Sequence, residues 1–211
     1  MFEACAGYVD HWRDTHSGVD FINARLRGEG EARTIMDVCA GKPDAATFAQ
    51  FCQAWNRECI EGVPRKQVTC TRFGAGFPAV RGLASALAPG MPLGQWLATF
   101  WQAEVPDESS LERLLTTYTA CRARGAGMFF LTLLLYLKDD ERYLPCSPAL
   151  ARGMAVLCGR EFTAPVRTVG AYLRYCDEAR QLRERFSLLP QEVDFMLARA
   201  AHLAREAVEH G

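Results

Sequence analysis

Nine cysteines carry most of the chain's latent nucleophilic and metal-binding chemistry: Cys5, Cys39, Cys52, Cys59, Cys70, Cys121, Cys146, Cys158 and Cys176. A zinc ribbon or a redox dithiol needs two thiols separated by two residues, so that both sulfurs reach one ion or each other. No pair has that spacing. Cys52 and Cys59 share a helix face but lie two turns apart, too far to hold one ion. Most of the nine have apolar neighbours and read as small core residues, as free thiols do in a reducing compartment. The histidines are His11, His16, His202 and His210, with no HExxH pair among them. A cysteine–histidine pair assembled by folding stays open, since such partners are distant in sequence. Among the acids, Asp139, Asp140 and Glu141 cluster where a helix should end. Negative charge opposes the helix dipole there. Such a cluster is either a functional acid or a solvated turn pairing with Lys138 and Arg142.

Two glycine loops suggest a second kind of chemistry. Gly74-Ala75-Gly76 and Gly125-Ala126-Gly127 each lead into a helix. Glycine lets backbone N–H groups face outward, and a helix N-terminus attracts phosphate. Arg122 and Arg124 precede the second loop. Arg65, Lys66, Arg72 and Arg81 surround the first, interleaved with Phe73 and Phe77. Guanidinium groups beside bare amides suit phosphate contacts, and an exposed phenylalanine suits stacking on a base. The competing reading makes each glycine an ordinary helix C-cap and buries both phenylalanines. Neither loop is a nucleotide-binding P-loop, because no Gly-Lys-Ser/Thr follows. Only Lys42, Lys66 and Lys138 are lysines, so arginine supplies nearly all of the 24 basic residues. Arginine forks onto phosphate and guanine edges; the same bias arises in a GC-rich genome.

The elements that must position these residues are almost all helical. Residues 3–13 have an amphipathic stripe of Cys5, Tyr8, Val9 and Trp12. A second helix is expected over 19–26, ended by Gly28 and Gly30. Asp44 suits the N-cap of a helix running to about Cys59. A basic turn over 62–66 and a short extended piece over 67–71 follow. Pro78 opens a helix to about Leu87. Further helices are expected over 93–103, 109–124, 128–137, from Pro148 to Cys158, over 165–185 and over 190–210. In the 165–185 helix, Arg180 is expected to pair with Glu184 at i+4. The expectation is an all-α fold in one domain over 1–211, with a soft boundary near 62–72 and room for a small β element at 67–71.

Three stretches resemble the helical N-terminal domains of McrB-type AAA+ restriction proteins. The first runs Arg72-Phe73-Gly74-Ala75-Gly76-Phe77-Pro78-Ala79-Val80-Arg81-Gly82. The second runs from Gly125-Ala126-Gly127-Met128-Phe129-Phe130-Leu131 to Leu137-Lys138-Asp139-Asp140-Glu141-Arg142-Tyr143-Leu144-Pro145. The third combines Tyr172-Leu173-Arg174-Tyr175 with Glu192-Val193-Asp194-Phe195-Met196-Leu197. The match covers roughly residues 70–200 and departs from the pattern at Asp140, where proline is preferred. The resemblance implies a non-catalytic DNA-recognition module in phage restriction or defence, standing alone or as a domain of a longer protein. It also implies a AAA+ motor or nuclease partner, since no Walker loop lies in the chain. The second stretch is fainter in its likeness to helix–hairpin–helix glycosylases, which implies an enzyme with Asp139 or Asp140 as its acid. An adaptor that binds another protein is the remaining reading. It predicts an exposed apolar patch in place of a basic face.

Composition narrows the classes. Over 211 residues, 49% are hydrophobic and 23% charged, with a formal net charge of -1. That excludes a disordered chain and a strongly basic tail. No apolar run is long enough to span a bilayer, and the first residues show no secretory pattern. A cytoplasmic protein without cofactor or bound metal is the expectation. Any DNA-binding face would comprise Arg65, Lys66, Arg72, Phe73, Gly74, Gly76, Phe77, Arg81, Arg122, Arg124, Gly125 and Gly127.

Overall fold

Proline and short polar residues fix where the helices begin. Ser147 accepts a hydrogen bond from the Leu150 amide at 3.2 Å, with Pro148 in the first turn. Thr168 accepts from the Ala171 amide in the same way. Asp44 accepts from the Thr47 amide at 2.7 Å, as its spacing predicts. Glu192 reaches back to the Leu189 amide at 2.7 Å, half of a capping box, beside Pro190.

The structure is a computed structural model that describes residues 2–13, 15–42, 44, 46–51, 86–87, 90–121, 127–159 and 168–209. Its helices are α1 (Phe2–Arg13), α2 (His16–Gly41), α3 (Pro92–Gln102), α4 (Glu108–Cys121), α5 (Met128–Lys138), α6 (Pro148–Cys158), α7 (Val169–Phe186) and α8 (Pro190–Glu209). Residues 46–51 are helical as well, and no strand occurs among the described residues. The fold is all-α, as expected. The β element at 67–71 and the boundary at 62–72 lie outside the described residues.

The apolar run becomes the central helix. Phe130 to Leu137 are all buried in α5, on every side of the helix, so other elements must surround it. Thr132, the one polar residue in that run, donates to the Phe129 carbonyl and accepts from the Cys146 amide at 2.9 Å. It thereby ties α5 to the segment that follows it. Tyrosine hydroxyls hold that segment: Tyr172 donates to the Leu144 carbonyl and Tyr175 to the Pro145 carbonyl, each at 3.1 Å. Buried carbonyls outside a helix need such donors. α8 packs chiefly on α6, and α3 on α2. The α6–α8 crossing is close because Gly153 has no side chain: a Cβ there would sit 1.9 Å from the Leu197 carbonyl oxygen.

One helix differs from expectation. α2 does not stop at Gly28 but runs on to Gly41, 26 residues in all. Two glycines in a helix interior each cost roughly 1 kcal/mol against alanine, and contacts made beyond the helix offset that. Arg25 Nε donates to Glu29 at 2.8 Å across one turn, and Arg25 Nη1 donates to Asp194 of α8 at 2.7 Å. Tyr136 of α5 donates to Glu29 at 2.7 Å, and Gln191 of α8 at 2.9 Å. Arg25, Glu29, Tyr136, Gln191 and Asp194 are all buried. Their network spans Gly28, and beyond Gly30 Arg33 donates to the Leu137 carbonyl at 2.8 Å and pairs with Asp140 at 3.1 Å, so that tertiary contacts hold the helix on both sides of the glycines.

Candidate interaction cleft

α3 and α4 are joined by five residues, 103–107, and so fold back as a helical hairpin. The sequence Pro-Leu-Gly-Gln-Trp-Leu-Ala-Thr-Phe-Trp-Gln gives α3 one buried face of Leu93, Gly94, Leu97 and Phe100. Trp96 and Thr99 remain on the flank towards α4. On α4, Leu111 and Tyr118 face inward, leaving Ser110, Arg113, Leu114 and Thr117 along the seam. Between the two helices lies an open cleft of about 800 Å³. That falls within the ~300–1,000 Å³ usual for ligand sites.

An aromatic cluster forms its floor. Trp96 stacks on Phe100 with centroids 5.0 Å apart and planes 4° from parallel, and Tyr118 meets Trp96 at a tilt of 55°. The indole N–H of Trp96 donates to Thr117 Oγ1 at 3.1 Å, bridging the walls. Such rings are rigid and wide, which favours an apolar ligand at low entropic cost. Glu104 and Asp107 stand at the closed end of the cleft, and Arg113 is the basic residue on its wall. Hydrogen bonds from Ser110 and Ser109 hold the Asp107 carboxyl below its ordinary range, so it stays ionised while capping α4.

The closed end is fixed from beneath. The Lys138 ammonium donates to the carbonyls of Phe100 at 2.9 Å and Trp101 at 3.1 Å, and to that of Ala103. It also lies 4.9 Å from the Phe100 ring centroid. Burial holds its pKa below the ordinary lysine value. Tyr143 donates to the Pro106 carbonyl, and Trp101 donates to Asp37 of α2 at 2.6 Å. The cleft wall is therefore anchored to α2, to α5 and to the turn after α5.

The acidic cluster is a structural turn. Asp139 accepts from the amides of Glu141 and Arg142, Asp140 pairs with Arg33 at 3.1 Å, and Glu141 pairs with Arg183 at 2.6 Å. Arg142 does approach Asp139, at 3.7 Å. Lys138 takes carbonyls in place of these acids. Arg180 pairs with Asp177, one turn back, rather than with Glu184. Arginine pairing with acids is widespread: Arg13 forks onto Glu192 at 2.8 and 2.6 Å. Burial pushes Cys39 up to about 11, Cys176 up to about 12 and Cys146 higher still. Burial also holds the Cys5 and Cys121 thiols above their ordinary range. A thiol rather than a thiolate is a weak nucleophile. No group of histidines, cysteines and acids fit to hold a metal occurs among the described residues. No helix among the described residues is long and apolar enough to cross a membrane.

Of the residues expected on a DNA-binding face, only Gly127 is described. It is exposed, extended (φ -74°, ψ -175°) and sits at the N-cap of α5. Its carbonyl accepts from the Tyr118 hydroxyl at 3.1 Å and from the Phe130 amide. Arg65, Lys66, Arg72, Phe73, Gly74, Gly76, Phe77, Arg81, Arg122, Arg124 and Gly125 lie outside the described residues. Sequence reasoning placed both cleft helices but missed the cleft itself. Trp96 and Phe100 at i and i+4 are the signal, and that spacing is common to packed helices. No protein-family model, no curated protein and no solved structure matches the chain.

Proposed function

We propose that this protein is a non-catalytic recognition module, and that the α3–α4 cleft seats an apolar segment of a partner protein. The cleft is the observation that carries the reading: an open groove between two helices, floored by Trp96 and Phe100 and rigidly anchored. A groove of that shape suits an amphipathic helix laid in by its apolar face. Glu104 and Asp107 at the closed end favour a partner with a lysine or arginine there. The test is selection from a displayed random-peptide library, against the wild type and against Thr99→Arg. Thr99 is exposed on the cleft wall, so the longer cation fills the groove without entering the core. Peptides with apolar residues at helical spacing and a basic residue should be enriched. Thr99→Arg should lower their affinity at least tenfold, about 1.4 kcal/mol. Enrichment that Thr99→Arg leaves unchanged would refute the reading.

A second reading is nucleic-acid recognition in restriction or defence, alongside a AAA+ motor or nuclease. One structural observation favours it: exposed Gly127 stands at the N-cap of α5, three residues after Arg124 and five after Arg122 in the sequence. Binding to duplex DNA should then weaken steeply with salt, and Arg124→Ala should lower the slope of log affinity against log salt by about one. Affinity independent of salt would remove this reading.

A further inference from the structure

The network around Gly28 of α2 buries more acid than base. Among the described residues, Arg25 is the one buried guanidinium facing two buried carboxylates, Glu29 and Asp194, while the partly exposed Arg33 reaches only Glu29 of the two, at 3.9 Å. Glu29 is fully served: Arg25 Nε and the Tyr136 hydroxyl donate to one oxygen, and Gln191 Nε2 donates to the other. Asp194 is not. Its Oδ1 accepts from Arg25 Nη1, while its Oδ2, though equally near that nitrogen at 2.7 Å, receives no hydrogen bond. An ionised carboxylate with an unserved oxygen at 0% exposure is costly, and protonation removes its buried negative charge.

We propose that Asp194 is the proton-binding element of a buried clamp that holds α2, α5 and α8 together more firmly in mild acid than at neutral pH. The charged groups acting on it are Arg25 and Glu29, both from α2, and α5 adds the Tyr136 hydroxyl. Neighbouring groups are engaged elsewhere. Arg13 of α1 is held by Glu192, Arg183 of α7 by Glu141, and α6 meets α8 through the Gly153–Leu197 contact. Burial is the dominant influence and raises the Asp194 pKa from 3.8 to about 6, against the partial opposition of Arg25 and of the Phe195 amide. The folded state therefore binds a proton that the unfolded chain releases until much lower pH. Stability from this group is complete below about pH 4 and is lost as pH rises through 6. Asp44 and Asp107, lowered by hydrogen bonds from Thr47 and Ser110, act in the opposite sense and only in stronger acid. The gap of about two pH units corresponds to roughly a hundredfold change in the unfolding equilibrium.

The device shares two helices with the anchors of the cleft wall. α2 holds α3 through Asp37 and Trp101, and α5 holds it through Lys138. The clamp thus tightens the two helices on which the cleft wall rests.

Thermal unfolding of wild type and Asp194→Asn between pH 4.5 and 7.5 tests this. The wild type should melt at progressively lower temperature above pH 5.5. Asp194→Asn should lose that slope, and Tyr136→Phe, which leaves Asp194 in place, should keep it. A flat wild-type profile, or an unchanged slope in Asp194→Asn, overturns the proposal. If Asp194→Asn does not fold, the carboxyl carbon of Asp194 in the wild type, followed by NMR, decides it. A midpoint near 6 supports the clamp, and one at or below 4 overturns it.

Discussion

Gly153→Ala should cost about 3 kcal/mol or more, the upper end of overpacking in a tight core. The added methyl would lie 1.9 Å from the Leu197 carbonyl oxygen, 2.6 Å from its carbon and 2.9 Å from its Cα. All three are backbone atoms, so no side-chain rotation can relieve the clash. α6 and α8 would have to separate along the contact that buries Met154, Leu157, Met196 and Leu197. Native domains hold only about 5–15 kcal/mol of stability, so a marginal one could lose its fold outright. Gly7→Ala in α1 is the matched control, because a Cβ there meets nothing within 4 Å. It should be neutral or stabilising by about 0.5–1 kcal/mol. Urea unfolding of both variants makes the comparison. Equal effects would mean that the α6–α8 crossing is looser than described.

The second large effect is expected at Arg25. Arg25→Met keeps the volume and removes the cation, leaving Asp194 buried without a counter-charge and Glu29 with only Arg33 at 3.9 Å. Removing one partner of a buried ionic cluster costs about 3–5 kcal/mol. The loss should be greatest at pH 7.5 and smaller in acid, where Asp194 can take up a proton. Tyr136→Phe removes the hydroxyl that donates to Glu29 and accepts a longer bond from Arg25 Nη2 at 3.5 Å, and should cost about 1–3 kcal/mol. Denaturant midpoints at both pH values measure this. An Arg25→Met variant as stable as wild type at pH 7.5 would show that Arg25 does not neutralise those acids.

How much of this the sequence disclosed depended on the range of the forces involved. Asp44, Pro148 and Pro190 marked helix starts, because capping is settled within four residues. The apolar run 128–137 announced a buried helix for the same local reason. The continuation of α2 was hidden, since Gly28 and Gly30 argue locally for a break. The partners that overrule them, Tyr136, Gln191 and Asp194, lie more than a hundred residues away. The Asp139–Asp140–Glu141 turn was half legible: Arg142 was foreseeable from spacing, whereas Arg33 and Arg183 were not. The cleft was least legible. Its helices were expected at nearly their observed bounds, yet the Trp96–Phe100 stack becomes a floor only when Thr117 and Leu114 of α4 are set beside it. Arginine and glycine drew attention first because they are conspicuous in a list. Seated side by side, a tryptophan and a threonine are not.

Amide hydrogen exchange on the full chain, with and without a saturating library-selected peptide, tests the central claim most directly. The account predicts slowed exchange in α3, α4 and the 103–107 connection, with α6 and α7 unchanged. Protection that instead falls on residues 72–81 or 122–127 and spares α3 and α4 would contradict it.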